Sequence, residues 1–216
     1  MKLTIVYDNI VYKNIKGLKP DWGFSCLIQA DDANILFDTG AKANILFKNM
    51  KTLGIDPAGI NKIVISHEHW DHNGSLEKLA DYVINVDLYR INQNNEVKNM
   101  DLVSNISSYK ITDQIFSTGT LKGIVDEQSL VLKAKNGYYV LLGCSHPGVE
   151  KILKKAAEFG KIIGIIGGLH NFDDFEILKN LEFICPCHCT KYKKKLKEIY
   201  PNKYVEGGVG KTIDIL

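Results

Sequence analysis

Hydrophobic and polar positions along the chain alternate in several short runs, and each run predicts an element. Lys2 to Tyr7 alternates and reads as a strand; a polar loop follows as far as Trp22. Phe24 to Ala30 and Asn34 to Phe37 form a strand pair across the turn-like Asp31-Asp32-Ala33. Leu46, Phe47, Met50 and Leu53 fall at helical spacing and Gly54 closes the helix. Ile63-Val64-Ile65 is a short apolar strand, with His67 to Asn73 directly behind it and a short helix over about Ser75 to Ala80. Tyr82 to Val86 reads as a further strand, and the polar, Asn-rich residues 88 to 112 as a loop or lid. In the second half, Leu130 to Ala134 and Tyr138 to Leu142 flank Asn136-Gly137, a strong hairpin signal. An amphipathic helix over Gly148 to Phe159, a strand over Lys161 to Ile166, a helix over Asp174 to Leu181 and a strand at Phe183-Ile184 follow. A basic helix over Tyr192 to Tyr200 and a strand over Thr212 to Leu216 complete the series. This order predicts an α/β protein with two sheets and helices outside them, each half of the chain giving one layer pair. No linker or short repeat interrupts it, so residues 1–216 are expected to form a single domain.

Composition narrows the class. With 216 residues, 45% hydrophobic and 24% charged, the chain is globular and long enough for a core without disulfide staples. Its net charge of +2, from 27 basic and 25 acidic residues, gives no electrostatic case for a nucleic-acid or membrane-surface binder. The apolar runs fall short of the ~20 residues of a membrane span, and Asp8 arrives too early for a signal peptide. Five cysteines, three of them within five residues, argue against a secreted disulfide framework and for a reducing cytoplasm.

The chemistry gathers at histidines. Five of the six directly follow or lie within a few residues of a predicted strand end, where α/β proteins place their ligands. The densest stretch is Ser66-His67-Glu68-His69-Trp70-Asp71-His72-Asn73-Gly74. In an extended loop, His67, His69 and Asp71 would point to one side and Glu68, read as structural, to the other. Imidazole with carboxylate suits zinc, iron or manganese.

His67-Glu68-His69-Trp70-Asp71-His72 resembles the HxHxDH signature of the metallo-β-lactamase-fold hydrolase superfamily. Three further stretches resemble that family's motifs in the same order: Phe37-Asp38-Thr39-Gly40, Gly143-Cys144-Ser145-His146-Pro147-Gly148 and Cys187-His188-Cys189-Thr190. The resemblance implies a four-layer αββα sandwich of two mixed sheets. It puts His67, His69 and His146 on one metal, Asp71, His72 and His188 on a second, and Asp38 behind a histidine ligand. It also implies zinc, as one or two ions, with iron or manganese as alternatives. The closest subgroup by motif is the dihydropterin-aminobenzene-phosphate synthase-like one, which points modestly to a pterin or phosphate-bearing substrate. The activity implied is hydrolysis of an ester, phosphoester or similar small molecule by a metal-bound hydroxide. Asp71 would be a ligand and a candidate proton shuttle. The partner implied is a small-molecule substrate, with no nucleic acid or membrane.

Two features depart from the pattern. Where binuclear members carry a bridging Asp, this chain has Gly167-Gly168-Leu169-His170, and a neutral imidazole offers one lone pair and cannot bridge as a carboxylate does. This leaves two metals joined only by hydroxide or substrate, one metal, a catalytic His170 that contacts substrate, or a structural histidine. The glycine pair suggests a close approach to the backbone. The second departure is Cys185-Pro186-Cys187-His188-Cys189. Extended, it would face its three cysteines one way and His188 the other, with Cys144 and His146 on one side of their own segment. Its C-x-C-x-C spacing does not suit an iron–sulfur cluster, and the plain reading is packing. A redox protein using iron or Cys144, Cys185, Cys187 and Cys189 remains an alternative function, as does a metal-binding protein without catalysis. Trp22 and Trp70 are read as packing residues, Trp70 alternatively as a pocket wall. The lysines at 191, 193, 194, 195 and 197 read as a solvated face that could attract an anionic substrate.

Overall fold

The structure is a computed structural model that describes residues 1–31, 33–92, 96–103 and 107–216. Two compact units are present, one of Met1–Asn105 with Gly208–Leu216, the other of Ile106–Gly207.

The first unit holds a seven-stranded sheet. Its strands are β1 (Lys2–Tyr7), β2 (Ser25–Gln29), β3 (Asn34–Phe37), β4 (Lys62–Val64), β5 (Val86–Tyr89), β6 (Met100–Val103) and β13 (Thr212–Asp214), in the order β13-β1-β2-β3-β4-β5-β6. β13, β1, β2 and β3 are mutually antiparallel neighbours, whereas β3 to β6 run parallel. Helices α1 (Ala43–Thr52), α2 (Trp70–Asn73) and α3 (Leu76–Leu79) lie between strands. Leu46 and Met50 of α1 and Leu76 and Leu79 of α3 pack with Val6, Leu36, Ile63 and Leu88 of the sheet. The alternate positions Leu3, Ile5, Ile35 and Phe37 are buried as well, so these strands read as nearly unbroken apolar runs.

The second unit holds a six-stranded sheet of β7 (Tyr109–Lys110), β8 (Ile115–Ser117), β9 (Leu130–Ala134), β10 (Gly137–Leu142), β11 (Ile162–Gly168) and β12 (Phe183–Cys187), in the order β12-β11-β10-β9-β8-β7. β10, β11 and β12 are parallel; β7 to β10 form an antiparallel meander that contains the expected hairpin. Helices α4 (Val149–Ala156) and α5 (Lys193–Ile199) are amphipathic, and Val149, Ile152, Ala156 and Leu196 join Val140, Leu142, Ile165 and Ile184 in the core. Lys195 and Lys197 on α5 lie over the rings of Phe175 and Tyr204.

Several expectations shift. Residues 82–86 are not a strand: Tyr82 and Ile84 are exposed, Asn85 takes a left-handed turn, and pairing starts at Val86 with Met100 of β6 and at Asp87 with Lys62 of β4. The helix expected over 174–181 is one 3-10 turn, Phe175–Leu178, because its two buried anchors are three residues apart and fit that tighter spacing. The stretch 88–112 is not all loop, since it holds the end of β5, all of β6 and β7. Residues 93–95 and 104–106 of it, and Asp32 of the expected turn, lie outside the described residues. The last strand joins the first unit's sheet beside β1, pairing Leu3 with Ile213, rather than a sheet of the second half. Among the described residues, no helix is long and apolar enough to cross a membrane.

Candidate metal centre

Parallel strands place the first unit's polar cluster. β3, β4 and β5 all run the same way, so Asp38, His67 and Arg90, which follow their carboxyl ends, emerge at one end of the sheet. Asp38 is fully buried and left-handed in backbone, with its N–H donating to Val64 at 2.8 Å. Its Oδ1 accepts the Ser66 N–H at 2.7 Å, and its Oδ2 accepts the Ser66 hydroxyl at 2.8 Å and lies 2.6 Å from His72 Nδ1. Ser66 Oγ lies in turn 2.8 Å from His67 Nδ1.

This network assigns the tautomers. A carboxylate cannot donate, so Nδ1 of His72 carries the proton. The Ser66 hydroxyl spends its proton on Asp38, so it accepts from Nδ1 of His67. One aspartate thereby puts the lone pair on Nε2 of both imidazoles, the arrangement that metal-ligating histidines use. The two rings have centroids 4.1 Å apart, and His67 Nε2 lies 3.2 Å from His69 Nδ1. Asp71 Oδ2 stands 4.0 Å from His72 Nε2.

The segment is not extended throughout. His67 and His69 share a side, as alternation requires, but His69 is the N-cap of α2, and Asp71 and His72 are carried by a helical turn. Both are buried, while Trp70, just before them, is 62% exposed. Trp22 is 51% exposed, so neither tryptophan fills the core; a single helical turn that points Asp71 and His72 inward turns Trp70 outward. Glu68 is structural, as expected: it pairs with Arg90 in a two-point contact and accepts from Asn73 Nδ2 at 3.0 Å. The loop after Asp38 is braced separately, where Tyr7 donates to Asp21 at 2.9 Å and Lys42 meets Asp21 at 2.9 Å. Burial raises the Asp21 carboxyl pKa, but the hydrogen bonds from Lys42 and Tyr7 outweigh it and hold the pKa below its usual value. Burial, then Asp21, pushes the Tyr7 hydroxyl far up.

The second unit repeats the strand-end principle with different chemistry. β10, β11 and β12 are parallel, and Cys144 to His146, His170 and His188 follow their carboxyl ends. The loop over residues 143–146 wraps the carboxylate of Glu127, which is 1% exposed. Its Oε1 accepts the N–H groups of Gly143, Cys144 and Ser145 at 3.1, 2.9 and 3.1 Å, and its Oε2 that of His146 at 2.9 Å. Ser145 has φ +65° and donates its hydroxyl to Gly168 at 2.6 Å. Sequence reasoning missed Glu127, since nothing local marks a residue 16 or more positions from its partners as their acceptor. It also missed Ser66, although Ser66 stands beside the first histidine.

His170 is exposed, with φ +47°; its carbonyl accepts the Lys191 N–H at 2.9 Å, and its ring lies 5.0 Å from that of His146. The close approach expected at the glycine pair is internal. A Cβ on Gly168 would stand 2.4 Å from the Gly143 oxygen and 2.7 Å from Cys189 Sγ.

The cysteines divide, contrary to the expectation that 185, 187 and 189 share a face. β12 ends at Cys187, and His188, buried with φ +42°, breaks the alternation. Cys185 and Cys187, two apart on the strand, have sulfurs 3.9 Å apart and are fully buried, with Gly207 against Cys187. Cys189 turns to Cys144 instead, sulfur to sulfur at 3.3 Å, well beyond the ~2.05 Å of a disulfide.

Residues 20–111 match the Metallo-beta-lactamase superfamily. An uncharacterized protein of Methanocaldococcus jannaschii is 28% identical, over 99% of this chain and 100% of its own. The 7,8-dihydropterin-6-methyl-4-(beta-D-ribofuranosyl)-aminobenzene-5'-phosphate synthase of the same organism is 27% identical, over 81% of this chain and 83% of its own. Among solved structures, a metal-dependent hydrolase of the beta-lactamase superfamily, Tm1679, superposes with a TM-score of 0.78 at 23% identity, over 100% of this chain and 99% of that one. That likeness shows the fold, with the two mixed sheets and helices the sequence implied.

Proposed function

We propose, from the match of residues 20–111 to the Metallo-beta-lactamase superfamily, that this chain is a metal-dependent hydrolase of an ester, phosphoester or similar small molecule. The observation that supports this most is the pair of imidazoles, His67 and His72, whose tautomers one buried aspartate fixes. Neutral imidazoles presenting Nε2 beside a carboxylate are a donor set that fits zinc, and also iron or manganese. The ligands proposed are His67, His69, Asp71 and His72 in the first unit and, by the family resemblance, His146 and His188 in the second. A dication held by such residues supplies Lewis-acid polarisation of the substrate and a water acidic enough to ionise near neutral pH.

The chain's own groups do the rest. Asp38 keeps the proton of His72 on Nδ1 and, through Ser66, that of His67 on Nδ1 as well. Asp71, buried on its helical turn, would ligate and would take up a proton at a carboxylate oxygen. Glu127 holds the backbone that carries His146. The pterin-phosphate synthase relative favours an anionic substrate of pterin or phosphoester type, and the lysines of α5 would draw such an anion.

Elemental analysis of anaerobically purified protein, followed by a hydrolysis screen over phosphodiesters, esters and lactones, tests the reading. His67→Ala and His146→Ala should each lose bound metal and hydrolysis. Full metal content in either variant would overturn the ligand assignment, and a metal-loaded chain that hydrolyses none of the panel would overturn the activity.

A further inference from the structure

The thiols of Cys144 and Cys189 are used by nothing in the hydrolase reading, and they have a third neighbour. Cys144 Sγ, Cys189 Sγ and a ring nitrogen of His170 all lie within 4.8 Å of one another, inside the second unit. We propose that these three residues form a Cys2His site for a soft or borderline cation, of the zinc, ferrous or cuprous class, and that it stands beside His146 and His188, each with a ring nitrogen within 4.8 Å of Cys144 Sγ.

The fold builds this cluster on purpose-shaped backbone. β10, β11 and β12 are adjacent and parallel, and each delivers one donor just past its end. Four N–H bonds to Glu127 fix the loop that carries Cys144. Left-handed His188 and the Thr190 N–H, bonded to Cys187 at 3.1 Å, turn Cys189 out of strand alternation and toward Cys144. Left-handed His170 is tied to the same turn by Lys191. Gly168 is the residue whose Cβ would strike Cys189 Sγ, so its lack of a side chain leaves that sulfur its place.

The donor chemistry favours a cation over a simple dithiol. Thiolate with imidazole selects zinc, copper(I) and iron. Two sulfurs each ~2.3 Å from a tetrahedral zinc stand roughly 3.8 Å apart, so the observed 3.3 Å needs only a small opening. A disulfide would leave His170 without a part. Three protein ligands would leave a fourth position for water or a small exogenous ligand. This gives a ligand's role to the histidine that stands in place of the family's bridging aspartate, and it does not depend on the hydrolase reading.

Cobalt(II) tests it, because thiolate–cobalt charge transfer absorbs in the near ultraviolet and cobalt bound by nitrogen and oxygen alone does not. The full-length chain, kept anaerobic and titrated with Co2+, should show one thiolate-bound equivalent. Cys144→Ser/Cys189→Ser should abolish the band, and His170→Ala should weaken that equivalent at least about tenfold. Cys185→Ser/Cys187→Ser and His67→Ala should keep it, with circular dichroism checking that each variant folds. A wild-type chain without the band, a band that survives Cys144→Ser/Cys189→Ser, or a resting Cys144–Cys189 disulfide in the anaerobic protein would each overturn the site. So would loss of the band in folded His67→Ala, which would assign the thiols to the imidazole centre. Retention of the band in a His67→Ala variant that has lost hydrolysis separates this site from the hydrolase reading.

Discussion

Asp38 and Glu127 are both buried carboxylates standing behind a histidine-bearing loop, and they grip different things. Asp38 bonds mostly side chains, Ser66 and His72, so it sets which ring nitrogen carries a proton. Glu127 bonds four consecutive backbone N–H groups, so it sets the path of the chain and says nothing about protonation. The first is a device for chemistry and the second a device for shape. The contrast follows from the loops. The first runs into a helical turn that satisfies its own backbone, with His72 N bonded to His69 O at 3.0 Å, whereas the turn in the second, Gly148 N to Ser145 O at 2.9 Å, leaves the N–H groups of residues 143–146 to an outside acceptor.

The largest effect should come from Glu127→Ala. It leaves three buried donors and one half-buried one without that acceptor at about 1–3 kcal/mol each, partly relieved by water, for a loss on the order of 4 kcal/mol. Thermal unfolding should show a clear drop in midpoint; an unchanged midpoint would erase the distinction between the two carboxylates. Asp38→Asn should act chiefly on metal. An amide has one acceptor oxygen: set on Ser66 Oγ and His72 Nδ1 it turns its NH2 against the Ser66 N–H, and flipped it turns its NH2 against that pair, so the hold on the tautomers weakens and affinity should fall about 10–100-fold in a competitive chelator titration. If Asp38→Asn instead costs stability and leaves affinity alone, Asp38 is a shape device too. Cys187→Ser should leave metal content unchanged, since Cys187 packs against Gly207 and Cys185 and joins no candidate ligand cluster among the described residues; a fall in bound metal by elemental analysis would show otherwise.

The smallest effect concerns pH. The folded pKa of Asp21 is depressed, so its contribution is present above the unfolded value near ~3.9 and is lost as pH falls through the folded one. Asp21→Asn should therefore flatten the acid limb of the stability profile by less than about 1 kcal/mol, and leave neutral stability changed by no more than that.

Local pattern carried much of this molecule. Short apolar runs located β1, β3 and β9, and Asn136-Gly137 located the β9–β10 hairpin. It failed at residues 82–86, where the apolar run lies in the turns beyond α3 and pairing begins only after left-handed Asn85. It failed again at the cysteines, because period two holds only while the backbone stays extended, and His188 ends that.

By itself the sequence determined which residues could do chemistry and that they would stand at strand ends. The HxHxDH spacing and the parallel strand–helix order are local facts, fixed by side-chain type and short-range periodicity. Tertiary structure alone decided which carboxylate holds which loop, that β13 returns to β1, and that Cys189 meets Cys144 rather than Cys187. Each of these joins residues far apart in the chain: Asp38 and His72 by 34 positions, Cys144 and Cys189 by 45. No short window contains both partners, and a buried carboxylate or thiol takes its partner from whatever the packed strands bring to it.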